Sequence, residues 1–76
     1  MAVTVYTTPS CVYCSKVKSF FREIKVPFTE YDVARDPRRA EEMQRKSGQT
    51  GVPVVDVNGR VIVGFNEAEI RSALKR

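Results

Sequence analysis

The sequence contains no histidine and only two cysteines among its 76 residues, and each shortage excludes a class of chemistry. Without an imidazole there is no ordinary base to activate a cysteine nucleophile for hydrolysis. A structural zinc site needs four ligands, so two cysteines without histidine fall short within one chain, and no metal is expected. Cys11 and Cys14 also enclose too short a loop to staple a small secreted fold, because cross-link stabilisation grows with loop length. The pair is there for chemistry and not for scaffolding.

Long apolar runs are missing as well. No stretch approaches the roughly 20 apolar residues that cross a bilayer. The N-terminus has no basic segment followed by an apolar one. A cytoplasmic protein without membrane contact is therefore expected. Charge is not clustered: 13 basic and 9 acidic side chains leave a net +4, with the basic ones spread over Lys16 to Lys25, Arg35 to Lys46 and Arg60 to Arg76. Nucleic-acid binding calls for clustered charge beside exposed aromatics, so no nucleic-acid partner is expected. The mild basic surplus suits an anionic ligand or an acidic partner surface, or simply solvated helix faces.

What is present is a globular balance of 42% hydrophobic and 29% charged residues, enough for one domain spanning residues 1–76. Ala2 to Thr7 is β-branched and aromatic and reads as a strand, stopped by Pro9 and Ser10. Val17, Phe20, Phe21 and Ile24 then form one apolar stripe, predicting a helix from Val12 to Lys25 that Pro27 prevents from continuing. Phe28 to Val33 is a second strand. Asp36 and Pro37 supply an N-cap and a first-turn proline for a helix to Ser47, with Ala40 and Met43 inward and Gly48 as C-cap. Val54 to Val57 and Val61 to Val63 flank Asn58-Gly59, the favoured pair for a tight hairpin. Asn66 and Glu69 resemble a capping box for a last helix from Glu67 to Lys75, with Phe65 stapled against Ile70. The predicted order is β-α-β-α-β-β-α: an α/β fold with a four-stranded mixed sheet flanked by three helices.

Cys11-Val12-Tyr13-Cys14 falls where the first strand gives way to a helix. Unpaired N–H groups and the positive end of the macrodipole favour an anion there, so the Cys11 thiolate is expected to form below a free cysteine's pKa of about 8.5. Cys14, one turn inside, is placed to displace a mixed disulfide formed by Cys11. Thr50-Gly51-Val52-Pro53 is a second site. An inward X-Pro bond is open to either isomer, and a cis bond would leave the Val52 backbone free to pair with an extended substrate. Gly64, Phe65 and Asn66 open the last helix, either as cap alone or also as a carboxylate site.

Together, the first strand, the C-x-x-C pair, the stretch from Glu42-Met43 to Val52-Pro53 and the Gly64 turn resemble a glutaredoxin over essentially the whole chain. The resemblance implies a thioredoxin fold with cis Pro53 and thiol–disulfide oxidoreductase activity on protein disulfides or glutathionylated thiols. It makes Cys11 the nucleophile, Cys14 the resolving thiol and Tyr13 a wall of the substrate groove. Val52 would pair with a substrate cysteine, Gln49 would help hold the glycine carboxylate of glutathione, and Gly64 and Asn66 would receive its γ-glutamyl end. No tightly bound cofactor is implied; glutathione enters as a co-substrate, and the chain is expected to act as a monomer. Four positions depart from that pattern: Thr8 for a lysine, Val12 for a proline, Val63 for a glycine and Asn66 for an aspartate. Val12 and the Gly64-Phe65 turn are similar to NrdH-type redoxins, which take electrons from thioredoxin reductase. An alternative of another class is a dimer carrying an iron–sulfur cluster through Cys11 of each copy.

Overall fold

The computed structural model describes residues 2–75. Seven elements follow the predicted order: β1 (Val3–Thr7), α1 (Val12–Glu23), β2 (Thr29–Asp32), α2 (Pro37–Ser47), β3 (Val54–Val57), β4 (Arg60–Val63) and α3 (Glu67–Leu74). The sheet order is β2-β1-β3-β4, with β1 and β2 parallel and the other pairs antiparallel, a thioredoxin-like arrangement. Among the described residues no helix is long and apolar enough to cross a membrane.

Side chains alternate across the sheet, so each strand serves two cores. Val3, Val5, Val55, Val57 and Ile62 face α1 and α3, where Val17, Phe20, Phe21, Ile70 and Ala73 meet them. Tyr6 and Val54 face the other way and pack on Met43 of α2. Ala40, expected to face inward beside Met43, is only half-buried.

The opposite face of the sheet is held by a polar network as much as by apolar contact. The buried Tyr6 hydroxyl donates to Glu42, and Lys46 Nζ donates to Tyr6 Oη at 3.1 Å and to Asp56 Oδ2 at 2.7 Å. Arg39 adds an ion pair to Glu42 at 2.8 Å and lies 3.9 Å from the centre of the Tyr31 ring. The hydrogen bond from Tyr6 holds the Glu42 carboxyl below the usual carboxylate range. A depressed folded-state value means that this contribution to stability is present above about pH 4.3, the unfolded glutamate value, and is lost as pH falls through the folded one. Glu42→Gln is therefore expected to flatten the acid limb of a plot of urea midpoint against pH while leaving the part around neutrality parallel to the parent.

Helix ends differ from expectation in one instructive case. α1 stops at Glu23, before Pro27 can act, because Lys25 takes a left-handed φ of 61°. Lys25 N then donates to Arg22 O at 3.1 Å and Val26 N to Phe21 O at 2.9 Å, the bond pair of a Schellman motif. α2 ends in a left-handed residue too, but there it is Gly48 at φ 76°. A lysine in that region carries a Cβ clash that glycine lacks. Lys25→Gly is expected to raise stability by about 0.5–1 kcal/mol, net of the added freedom of the unfolded chain. Equilibrium urea unfolding checks this, and an unchanged midpoint would contradict it. The remaining shifts are short: β1 loses Ala2, whose N–H instead donates to Asn58 Oδ1; β2 is two residues shorter than Phe28 to Val33; β4 begins at Arg60; and α3 ends at Leu74.

Candidate functional site

Strand register brings three loops to one end of the sheet. Tyr6 near the end of β1 pairs with Val54 at the start of β3, and Val54 pairs with Val63 at the end of β4. The turn from Thr8 to Cys11, the loop from Gln49 to Pro53 and the turn from Gly64 to Asn66 must therefore be neighbours, although they are far apart in sequence.

Cys11 is the N-cap of α1, in extended conformation at φ −94°, ψ 115°. Its sulfur stands where a serine or aspartate oxygen usually caps, accepting the Cys14 N–H at 3.1 Å. No acidic side chain occupies the first turn of α1, so nothing there offsets the positive helix end. Both thiols are free, but their settings differ: Cys11 is partly exposed and Cys14 is buried at 1% exposure. Burial pushes the Cys14 thiol up to about 12, reinforced by its hydrogen bond with Cys11 and opposed by the Thr8 backbone and Lys18. Val12 and Tyr13, between the cysteines, are 68% and 58% exposed, and Lys16 Nζ lies 5.1 Å from the Tyr13 ring centre.

The Val52-Pro53 bond is cis. Pro53 is buried and its carbonyl accepts the Gly64 N–H at 2.8 Å, tying this loop to the α3 turn. Among the described residues the Val52 N–H and C=O have no hydrogen-bond partner. Gln49, by contrast, is spent within its own loop: its Oε1 accepts Gly51 N at 2.9 Å and its Nε2 donates to Gly51 O at 3.0 Å. Gly64 adopts φ 80° and turns the chain into α3. The Asn66 side chain caps that helix, accepting Glu69 N at 3.1 Å and donating to Glu69 Oε1 at 3.3 Å. Glu69 thus grips the Asn66 amide and not its backbone N–H, which departs from a reciprocal capping box. Phe65 packs edge-on against Phe20, with 5.9 Å between ring centres, and an open groove lined by Val12, Lys16, Ser19, Phe20, Phe65 and Glu67 continues from the C-x-x-C turn.

A paired thiol at a helix start, at the same end of the sheet as an unpaired backbone beside a cis-proline, is a geometry for thiol exchange with an extended chain. The sequence model of the glutaredoxin family matches residues 3–62. The chain belongs to the glutaredoxin family. It is 39% identical over 74 residues to a glutaredoxin-like 8.6 kDa protein of a rubredoxin operon in Clostridium pasteurianum, covering 97% of this chain and 99% of that one. Glutaredoxin 3 of Escherichia coli K12 is 31% identical over 65 residues, 86% of this chain and 78% of its own. Among solved structures, the glutaredoxin-like NrdH-redoxin of Escherichia coli, described as having a thioredoxin-like activity profile, superposes with a TM-score of 0.85 at 30% identity, covering 95% and 93% of the two chains. As in its family, the general activity is thiol–disulfide oxidoreduction.

One further polar group near this site is assembled only by the fold. Thr7 Oγ1 donates to Glu30 Oε2 at 2.7 Å, and Lys18 Nζ donates to the same oxygen at 2.9 Å. Lys18 lies four residues after Cys14, a spacing visible in the sequence, but its anchor on β2 depends on strand register.

Proposed function

We propose that this glutaredoxin-family chain reduces protein disulfides through Cys11 and Cys14 and is recharged better by a thioredoxin-reductase-type donor than by glutathione. The observation that carries the exchange mechanism is the inequality of the two thiols: one caps a helix and is accessible, the other is buried directly behind it. Cys11 as thiolate attacks one sulfur of a substrate disulfide, forming a mixed disulfide and releasing the other sulfur as a thiolate that takes up a proton. Cys14 then loses its proton and attacks Cys11 Sγ. The Cys11–Cys14 bond forms, the bond to substrate breaks, and the second substrate thiolate leaves protonated. Two electrons pass from the dithiol to the substrate, with no other oxidant or reductant.

Val52 offers its unpaired N–H and C=O to a substrate strand, as in strand addition, while Pro53 holds that edge beside the C-x-x-C turn. The exposed Val12 and Tyr13 form the rim against which a protein surface packs. The donor preference is supported by what the polar groups around the site already do. Thr8 brings no cation, the Gln49 amide is closed on Gly51, and the Asn66 amide is engaged with Glu69. The likeness to an NrdH-redoxin of thioredoxin-like activity points the same way. The test is to oxidise the protein, then follow reduction of the Cys11–Cys14 disulfide by glutathione and by thioredoxin reductase with NADPH. Faster reduction by the enzyme is expected; faster saturable reduction by glutathione would reverse the donor assignment.

A further inference from the structure

The resolving step asks a buried thiol to ionise, and burial opposes that. Cys14 lies on the face of α1 that meets the sheet, beneath the helix start. Lys18 is its i+4 neighbour, so their Cβ atoms stack on one face, about one turn apart. The lysine does not swing free: its ammonium is fixed on Glu30 Oε2 at 2.9 Å, and the same oxygen takes the hydroxyl hydrogen of Thr7 at 2.7 Å. Parallel pairing sets this up, because Glu30 lies opposite Val5 and so shares with Thr7 the face of the sheet that α1 covers.

We propose that Lys18, anchored by Glu30 and Thr7, is a positioning residue for the resolving step, its ammonium stabilising the Cys14 thiolate as it attacks Cys11. This rests on the reading of Cys14 as the resolving thiol. Charged and polar groups from several elements act on Cys14. Cys11, the cap of its helix, opposes ionisation, while Lys18 and the Thr8 backbone just past β1 favour it; β2 supplies Glu30, which reaches Cys14 through Lys18 and holds the Thr7 hydroxyl on the same oxygen. Among these groups Lys18 is the cation. Glu30 does not act as the proton acceptor: Lys18 and Thr7 hold its carboxyl below the usual carboxylate range, which makes it a poor base. The Cys14 proton goes to solvent and is balanced by the one the departing thiolate takes up. Glu30 and Thr7 hold the ammonium in place.

The reduced protein mixed with excess dithiodipyridine, a neutral aromatic disulfide, separates the steps. Attack by Cys11 releases the first equivalent of chromophoric thione at a rate proportional to reagent. Resolution by Cys14 releases the second in a first-order phase independent of reagent. Lys18→Met is expected to slow that second phase about three- to fourfold at pH 7, since a tenfold loss of thiolate is partly offset by the greater nucleophilicity of a more basic thiol. Its pH midpoint should move upward, with the first phase changed less than twofold. Lys18→Arg, which keeps the charge, should restore rate and midpoint, and Lys18→Gln serves as the neutral variant if the methionine form does not fold. Cys14→Ser is the control, expected to yield one equivalent only. Two equivalents from Cys14→Ser would sink the role of Cys14 itself. One equivalent from it, together with a second phase in the neutral Lys18 variant that matches the parent at every pH, or with both phases slowed alike, would overturn the role of Lys18.

Discussion

Cys11→Ser is expected to lose all thiol-exchange activity, to the level of buffer alone, while Cys14→Ser stops halfway with substrate covalently attached. The asymmetry follows from geometry. A substrate disulfide can reach the Cys11 sulfur at the mouth of α1, where an N–H donor and the helix dipole await negative charge. It cannot reach Cys14, which is 1% exposed. With Cys14 removed, a mixed disulfide at Cys11 has no internal nucleophile, so intact mass spectrometry should find the variant carrying its substrate. Activity on glutathionylated thiols should survive in part, because free glutathione can replace the missing resolving thiol from outside. A Cys11→Ser variant that still exchanges, or equal loss in both variants across all substrates, would remove the assignment of roles.

Glutathione should be turned over slowly and with poor saturation by the parent protein, and Thr8→Lys combined with Asn66→Asp should tighten its use about tenfold, equivalent to about 1.4 kcal/mol. The first change supplies a cation beside the C-x-x-C turn, and the second an anion at the start of α3, to pair with the two charged ends of the tripeptide. Such charge-assisted bonds are worth about 1.5–3 kcal/mol each when well formed. One feature leaves the return intact and another reduces it. Aspartate caps a helix as well as asparagine does, so the Glu69 N–H stays satisfied. The Glu69 carboxylate, however, now 3.3 Å from Asn66 Nδ2, would face a like charge and turn toward Arg60, which it already meets at 3.6 Å. Because these pairs are exposed, the gain should shrink as salt rises. Steady-state kinetics with varied glutathione checks the point. Strong saturation in the parent, with no change in KM in the double variant, would mean that glutathione is held by other groups.

Most helix and turn boundaries were legible because the signals are local. Asp36 bonds the N–H groups of Arg38 and Arg39, Gly48 takes the left-handed cap, Asn58-Gly59 makes the hairpin at φ 52° and 94°, and Asn66 caps α3. Each is decided within a few residues, so composition and spacing suffice. The end of α1 was misplaced for the same reason in reverse. Proline is a visible stop, whereas a lysine forced into a left-handed cap has no sequence signature, and it is the packing of Val26 against the core that holds it there. The site was legible only in part. The reactive pair and the Val-Pro loop stood out by residue type, but the engagement of Gln49 with Gly51 and of Asn66 with Glu69 decides what those amides have left to offer a ligand.

The sequence by itself determined the element order, the caps of α2 and α3, the dithiol at a helix start and the absence of a histidine base, since all of these depend on residue identity and near neighbours. The tertiary structure alone decided the order β2-β1-β3-β4, which gathers three distant loops at one end of the sheet, and the face on which Glu30 and Thr7 receive Lys18 behind Cys14. Strand register is chosen by burying apolar side chains on both faces of the sheet at once, a condition on the whole chain that no local stretch of residues contains.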